Sequence, residues 1–120
     1  MRSDYYYRQE ALKESFRSQY KFPLGAIVVR RGKIVGRGCN YVCYVGGRPW
    51  RNGTHAELAA MNDTQAVDRE GATIYVARWR KSMTMGCAKP CATCQTILRK
   101  KGIKDVWYSD YGNVWRKLTL

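Results

Sequence analysis

The stretch GATIYVARWRKSMTMGCAKPCATCQTILRKKGIKDVWYSD, residues 71–110, decides the fold. Its two ends, GATIYVA and IKDVWYSD, are rich in β-branched and aromatic side chains, which predicts two buried strands. Between them, PCATCQTILRKK starts with Pro90 and is followed by Gly102, which is typical of a helix, and RWRKSMTMGCAK predicts a polar crossover loop. Two strands joined through a helix require parallel pairing and a right-handed crossover.

The segment before this crossover predicts a helix, a hairpin and a second helix. Residues 3–20 contain good helix formers, with apolar side chains at helical spacing. Residues 26–30 and 33–36 are β-branched runs joined by Arg31-Gly32, which suits a tight hairpin. Residues 54–63 predict a helix capped by Thr54. The side chains expected to face the core are Tyr7, Leu12 and Phe16 in the first helix, and Leu58 and Met61 in the second.

Polar and glycine-rich segments mark the connections between these elements. Asn40 lies just past the end of the second strand. Residues 41–53 are rich in glycine and predict a long loop, and loops of that length inside a compact domain are often functional. After the crossover, we expect residues 111–120 to return as one more strand behind a turn at Gly112-Asn113.

The composition predicts one compact domain. The chain has 120 residues, of which 45% are apolar and 26% charged, which is ordinary for a globular protein and sufficient to bury a core. We therefore expect residues 1–120 to form a single domain. Because helices and strands alternate along the chain, we expect an α/β sheet of two or three layers.

Hydropathy and cysteine content bear on location. The sequence has no run of about eighteen apolar residues, and its N-terminal residues have no apolar signal-peptide core. We therefore expect a cytoplasmic protein without a membrane partner. Thiols stay reduced there, so the five cysteines, an odd number, indicate metal binding or catalysis for some and core packing for the rest.

The net charge is the most unusual total. Lys and Arg number 22 against 9 Asp and Glu, which gives a formal net charge of +13. The excess is spread along the chain and does not form a tail. So strong a positive field favours phosphate-bearing partners, from a nucleotide to a nucleic acid, whereas the plainer interpretation is a solvated surface.

One histidine and two cysteines lie at the starts of the second and third predicted helices. His55 falls in the first turn of one helix, and Cys91 and Cys94 fall in the first turn of the other. The positive end of a helix should lower the pKa of a cysteine there, and three-residue spacing puts both thiols on one side of the turn. This N/S set suits tetrahedral Zn²⁺, and three ligands leave the open position of a catalytic site. The thiols expected to pack in the core are Cys39, Cys43 and Cys87.

Glu57 lies two residues after His55 and is not needed as a metal ligand. A carboxylate in that position can take a proton from a water molecule that a metal has acidified and hand it to a substrate. A glutamate at a helix N-terminus can also serve only the helix dipole. Its place beside His55, Cys91 and Cys94 favours the catalytic interpretation.

The motifs HAE at residues 55–57 and PCATC at residues 90–94 together resemble the signature of the cytidine and deoxycytidylate deaminase superfamily. The resemblance spans roughly residues 24–110, and the compact chain is similar to small, phage-like members of the deoxycytidylate branch. It implies a cytidine deaminase-like α/β fold, in which about three helices flank a central mixed sheet of about four to five strands. It also implies a zinc-dependent hydrolase that forms oligomers.

The resemblance further implies roles for individual residues and a class of reaction. The enzyme would replace an exocyclic amine of a base by oxygen and release ammonia. The implied roles are zinc binding for His55, Cys91 and Cys94, proton transfer for Glu57, a hydrogen bond to the sugar for Asn40, and backbone contacts to the base for Ala56 and Cys91.

The substrate we expect is a cytosine nucleotide, either dCMP or a related cytidine nucleotide or nucleoside. Arg48 and Arg51 in the long loop are candidates for gripping a 5′-phosphate, because a guanidinium fork matches phosphate oxygens. The same arginines would be unremarkable pointing into solvent.

Two other functions are compatible with the sequence. The first is a deaminase that acts on cytosine, or less readily on adenine, in single-stranded DNA or RNA. The basic charge and the aromatic side chains of Trp50 and Trp79, each flanked by arginines, favour it because such side chains can stack bases and hold phosphates. The second is an inactive, basic zinc module that binds nucleic acid, which would have no need for Glu57.

Overall fold

The computed structural model describes residues 3–19, 22–40, 44–45, 48–49 and 55–120, and for residues 44–45 and 48–49 only the backbone. The described helices are α1 (Asp4–Phe16), α2 (Ala56–Asn62) and α3 (Ala92–Lys100), with a short 3-10 helix at Ala66–Asp68. None of them is long and apolar enough to span a bilayer. The described strands are β1 (Leu24–Arg30), β2 (Lys33–Cys39), β3 (Tyr44–Val45), β4 (Arg48–Pro49), β5 (Thr73–Trp79), β6 (Met85–Gly86), β7 (Asp105–Asp110) and β8 (Val114–Thr119).

The central sheet has the order β2-β1-β5-β7-β8, and β6 pairs with the end of β5. Strands β5 and β7 are parallel and are joined through α3, whereas every other pair in this sheet is antiparallel. The predicted mixed α/β fold is therefore confirmed. The prediction of a plain crossover loop was incomplete, because β5 runs on through Trp79 and β6 folds back against it.

Two tight turns close the outer hairpins of the sheet. Arg31 and Gly32 have φ angles of 51° and 77°, and Gly112 and Asn113 have φ angles of 82° and 56°. Positive φ at both central residues is the geometry of the type I′ turn, whose twist matches that of the flanking strands. The hairpin at Arg31-Gly32 and the return of the chain as β8 are both confirmed.

Helices cover the two faces of the sheet and form three layers. On one face, alternate residues of β1, β5 and β7 pack with α2 and α3 into the larger buried cluster. On the other face, α1 packs over β1 and β5. The large side chains at the centre of the first face are Val28, Ile74, Val76, Leu98 and Val106, and those of the second are Tyr7, Ile27 and Tyr75.

The buried face of α1 differs from the prediction at Phe16. A Cβ at Gly25 of β1 would lie 2.2 Å from the backbone nitrogen of Ser15 and 2.6 Å from the carbonyl oxygen of Ala11, so helix and strand are in direct backbone contact. Such an approach admits only small side chains, and both Ala11 and Ser15 are fully buried. Phe16 is consequently turned outward and is 60% exposed.

Helix α2 approaches β2 in the same way over Gly36 and Gly38. A Cβ at Gly38 would lie 2.4 Å from the backbone nitrogen of Ala60, and one at Gly36 would lie 2.5 Å from the Ala60 carbonyl oxygen. Glycine is required at both positions because any side chain would lift α2 off the sheet. The contact fixes the height of α2 above the sheet.

We expect Gly38→Ala to lower the free energy of unfolding by about 1–3 kcal/mol, because the added methyl group meets backbone that cannot yield. Gly86→Ala is the matched control, since its methyl group would meet only the Arg78 and Arg80 side chains at 3.1 Å. Urea unfolding of both variants measures the difference. Equal stability of the two variants would contradict the proposed backbone contact.

Candidate metal centre and active site

Two short helices present the predicted metal ligands from their first turns. His55 is the N-cap of α2, and its side chain makes no capping hydrogen bond, which leaves the ring available for another role. Cys91 is the N-cap of α3, where its Sγ accepts a hydrogen bond from the Cys94 amide at 3.5 Å. The prediction that Thr54 caps this helix is wrong, because the N-cap is His55; Thr54 itself lies outside the described residues.

The three side chains meet at one point although His55 and Cys94 are 39 positions apart in sequence. The ligand atoms of His55, Cys91 and Cys94 all lie within 4.8 Å of one another, and His55 Nδ1 is 3.2 Å from Cys94 Sγ. Cys94 is 2% exposed, whereas His55 and Cys91 are open to solvent. The cluster is thus held from the protein side and accessible from the other.

The donor set fits zinc. One imidazole and two thiols are ligands that Zn²⁺ prefers, and tetrahedral bond lengths put ligand atoms about 3.5–3.8 Å apart, close to the separations seen here. Within the described residues, no other group of three His, Cys, Asp or Glu side chains converges in this way. The set supplies three ligands, so a fourth position would remain for water or substrate.

Glu57 lies beside this cluster in the first turn of α2 and is 4% exposed. Burial raises the pKa of its carboxyl above the ordinary value, and the hydrogen bond from its own backbone amide, His55 and Cys94 act in the opposite direction. A buried carboxyl with a raised pKa is suited to holding and releasing a proton near neutral pH.

The expected pKa of Cys94 was wrong. We expected the helix N-terminus to lower the pKa of this thiol, but burial, followed by the nearby Glu57 carboxylate and Cys91, raises it. Desolvation outweighs the helix because the thiol sits beneath the surface, facing a buried acid. A bound cation would reverse this balance, since metal ligation favours the thiolate.

Two residues that the sequence analysis missed hold the segment that carries the cysteines. The Gln95 side chain donates to the Pro90 carbonyl at 2.8 Å and so braces the turn into α3. Ser109 of β7 is fully buried, and its Oγ donates to the Gly86 carbonyl and accepts from the Arg78 amide, both at 2.9 Å. A serine inside an otherwise apolar buried strand was the signal that could have identified it.

The amide of Asn40 is engaged within the chain. Its Oδ1 accepts from Ser18 Oγ at 2.6 Å and from the Leu24 amide at 2.9 Å, and its Nδ2 donates to the Phe22 carbonyl at 2.7 Å. Asn40 therefore ties the segment before β1 to the end of β2. A contact between Asn40 and a sugar would involve its remaining N–H.

Of the other predicted substrate-binding residues, only Ala56 has a described side chain. Ala56 is the first residue of α2, next to His55, and is 1% exposed. Arg48 belongs to β4, of which only the backbone is described, and Trp50 and Arg51 lie outside the described residues. Of the other thiols, Cys39 and Cys87 are half-buried and stand apart from the cluster, and Cys43 lies outside the described residues.

The sequence from residue 1 to residue 110 matches the family described as the cytidine and deoxycytidylate deaminase zinc-binding region. The chain belongs to this family. The resemblance inferred from the two motifs is confirmed, and the zinc assignment of the family agrees with the donor set at His55, Cys91 and Cys94.

The curated relatives that match the chain are described as tRNA-specific adenosine deaminases. Among curated proteins, the chain is 34% identical over 109 residues to a tRNA-specific adenosine deaminase from Streptococcus pyogenes serotype M18, a match that covers 86% of this chain and 60% of the relative. A second match, from serotype M1, has the same identity and covers 56% of the relative. The chain thus spans less than two thirds of the length of these relatives.

Solved structures share the fold at lower sequence identity. Cytidine deaminase from Burkholderia pseudomallei superimposes with a TM-score of 0.74 at 21% identity, covering 98% of this chain and 93% of that one. The dCMP deaminase of cyanophage S-TIM5, solved with dCMP and dUMP, gives a TM-score of 0.68 at 21% identity, covering 92% and 84%.

We expect the chain to bind about one Zn²⁺ and Cys91→Ser to weaken that binding by more than about a hundredfold, since changes behind metal ligands alone cost roughly 10–100-fold. Cys91 is exposed, so its replacement leaves the core intact. Competition with a chromophoric chelator measures the affinity. The matched control is Cys87→Ser, which should bind zinc as the unchanged protein does; equal affinities for both variants would remove Cys91 from the site.

Proposed function

We propose that the chain is a zinc-dependent hydrolytic deaminase that converts a cytosine nucleotide to its uracil form and releases ammonia. The observation that carries the proposal is the buried Glu57 carboxyl beside the converging ligand atoms of His55, Cys91 and Cys94. Family membership supports the same chemistry. The proposed roles are zinc binding for the three ligands and proton transfer for Glu57.

The chemistry follows from what each side chain can do. When bound, zinc supplies Lewis acidity and lowers the pKa of water toward neutrality. Glu57 takes one proton from the attacking water and delivers it to the ring nitrogen, and it then passes the second proton of the same oxygen to the departing amine. The C–N bond to the exocyclic amine breaks, a C=O bond takes its place, and ammonia leaves. Burial of Glu57 favours this task because a raised pKa lets the carboxyl be protonated between transfers.

Cytosine in a nucleotide is the proposed substrate on three grounds. The motifs are similar to those of the deoxycytidylate branch, and the fold is shared with structures described as cytidine and dCMP deaminases. The net charge of +13 favours a substrate that carries phosphate. Arg48 and Arg51 are the proposed phosphate ligands, and Ala56, Asn40 and Trp50 are the proposed contacts to base and sugar.

A base in single-stranded nucleic acid is the second candidate substrate. The curated relatives at 34% identity are described as tRNA-specific adenosine deaminases, and the net charge of +13 suits a polyanion. We further propose a cytoplasmic location, as the hydropathy and cysteine content suggest, and a homo-oligomer, as the family resemblance implies.

We expect Glu57→Gln to lower the rate of ammonia release by about 10²–10⁴-fold with zinc content unchanged, because the amide cannot accept and return the proton. Glu70→Gln, at an exposed glutamate, is the matched control and should retain full activity. Ammonia release and bound zinc are measured on the same samples. Wild-type turnover by the Glu57→Gln protein would exclude the proposed mechanism.

We expect ammonia release from dCMP to exceed release from cytidine and deoxycytidine, because the arginines of the long loop can engage a phosphate that nucleosides lack. The zinc-loaded protein is offered these three compounds and single strands containing either cytosine or adenine as the only reactive base. Ammonia release from a single strand, but from none of the three small compounds, would favour the second candidate substrate over the mononucleotide. If no substrate released ammonia, the inactive zinc module that binds nucleic acid would be the remaining function.

A further inference from the structure

A groove of about 560 Å³ lies at the end of the sheet where β5 finishes. We refer to it as the Trp79 groove. Three basic side chains and two aromatic rings contribute to its wall, and none of its lining residues is acidic. The lining residues are Gln19, Phe22, Pro23, Arg78, Trp79, Arg80, Lys81 and Met83.

The basic side chains of the Trp79 groove are not neutralised by the protein. All nine acidic residues lie in the described part of the chain, and none forms an ion pair with Arg78, Arg80 or Lys81 there. The Nε atoms of Arg78 and Arg80 are also buried without a hydrogen-bond partner. The positive charge in the groove is therefore available to a ligand from outside.

Aromatic rings hold the two guanidinium groups in place. Arg78 lies over the Phe22 ring at 5.0 Å, and Arg80 lies over the Tyr111 ring at 4.9 Å. Arg80 also donates to Thr84 Oγ1 at 2.8 Å. Because these contacts fix the guanidinium groups beforehand, an anion that binds them loses little side-chain entropy.

The Trp79 groove lies at the carboxyl end of β5, the end from which the chain continues through β6 toward Cys91. Leu24 pairs with Arg78 in β5, and Gly25 pairs with Cys39 at the end of β2, next to Asn40. After β6, the chain runs from Gly86 to Cys91 within five residues. The wall of the groove and a metal ligand thus belong to one continuous segment.

We propose that the Trp79 groove binds a single-stranded polynucleotide next to the reacting base. Arg80 and Lys81 hold backbone phosphates, and Trp79, which is half-buried against Phe16, offers its ring edge or face to a neighbouring base. The inference rests on the proposed function for the position of the reacting base. It assigns to the same protein a substrate longer than one nucleotide.

Other occupants fit the groove less well. A second copy of the chain has 22 basic side chains against 9 acidic ones and fits this cationic groove poorly, so the proposed homo-oligomer would use another surface. A double helix keeps its bases paired and stacked, so it offers phosphates but no base to an aromatic ring. A mononucleotide has phosphate at one end only, whereas a strand supplies a series of phosphates and bases together.

The test measures binding to a labelled oligothymidine of about 12 nucleotides by fluorescence anisotropy, at about 50 mM and 200 mM salt. Thymine has no exocyclic amine, so binding is read without turnover. An oligouridine of equal length, a duplex of the same length and dTMP as competitor form the other arms. The variants are Lys81→Glu and Met83→Glu, both at exposed positions. The control is Lys104→Glu, which changes the charge as Lys81→Glu does and lies at the opposite end of the strands, just before β7.

We expect each groove variant to weaken strand binding by about tenfold at the lower salt concentration and Lys81→Glu to reduce the salt slope by about 0.7. Lys104→Glu should change binding by less than about twofold. Trp79→Leu should weaken binding by about tenfold, and Trp79→Phe should retain most of it, because the phenyl ring preserves stacking.

Three results would overturn the inference: no binding to either strand, equal loss in Lys104→Glu and Lys81→Glu, or a duplex or dTMP binding as tightly as the strand. The result is independent of the deamination assay. A protein that releases ammonia from dCMP but does not bind the strand retains the proposed function and loses this inference. A protein that binds the strand through the groove but releases no ammonia retains this inference and loses the proposed function.

Discussion

The backbone contact between α2 and β2 determines where the chemistry can occur. Gly36 and Gly38 let α2 rest directly on the strand, with Ala60 as the point of contact. His55 lies just before the first turn of that helix and Glu57 lies in it, so the height of α2 above the sheet sets the height of both side chains. A rise of about 1.5 Å, one residue of helix, would be comparable to the difference between metal-ligand contact and separation. Small residues in β2 therefore matter to a site they do not touch.

The metal centre is unfavourable for the protein without a cation. Glu57 and Cys94 are buried together, and burial raises the pKa of both groups. Two acids in one apolar site favour their neutral forms, which are poor metal ligands and poor bases. A divalent cation stabilises the thiolates and the carboxylate at once. The arrangement therefore fits the proposed metal binding and proton transfer better than it fits a helix cap or core packing.

The sequence was sufficient for the order of the three helices and the five longer strands and for the convergence of His55, Cys91 and Cys94, because these depend on local patterns and on two motifs of distinctive spacing. Three features depended on contacts between distant segments and could not be read locally. Phe16 faces outward because the space it would need is filled by the backbone at Gly25. Strand β6 forms only because the end of β5 lies beside it, and a two-residue strand carries no periodicity. The pKa of Cys94 depends on burial beside Glu57, which no spacing rule includes.

The ion pairs show where part of the positive charge behind the net value of +13 remains unpaired. Glu10 and Glu14 pair with basic residues around α1 and β2, and Asp105 and Asp110 pair with basic residues of β8. Much of the acidic charge is therefore used away from the Trp79 groove, where three cations stand together.

The segment from Arg78 to Cys91 contains both the proposed strand-binding residues and a proposed metal ligand. Ser109 fastens the groove wall to β6, because its Oγ accepts a hydrogen bond from the Arg78 amide and donates one to the Gly86 carbonyl. A phosphate that pulls on Arg78 or Arg80 acts on the hairpin of β5 and β6, and that hairpin leads directly into the metal ligand. A strand bound as proposed would therefore be held in a fixed position relative to Cys91, because the Ser109 and Gln95 hydrogen bonds brace the segment between them.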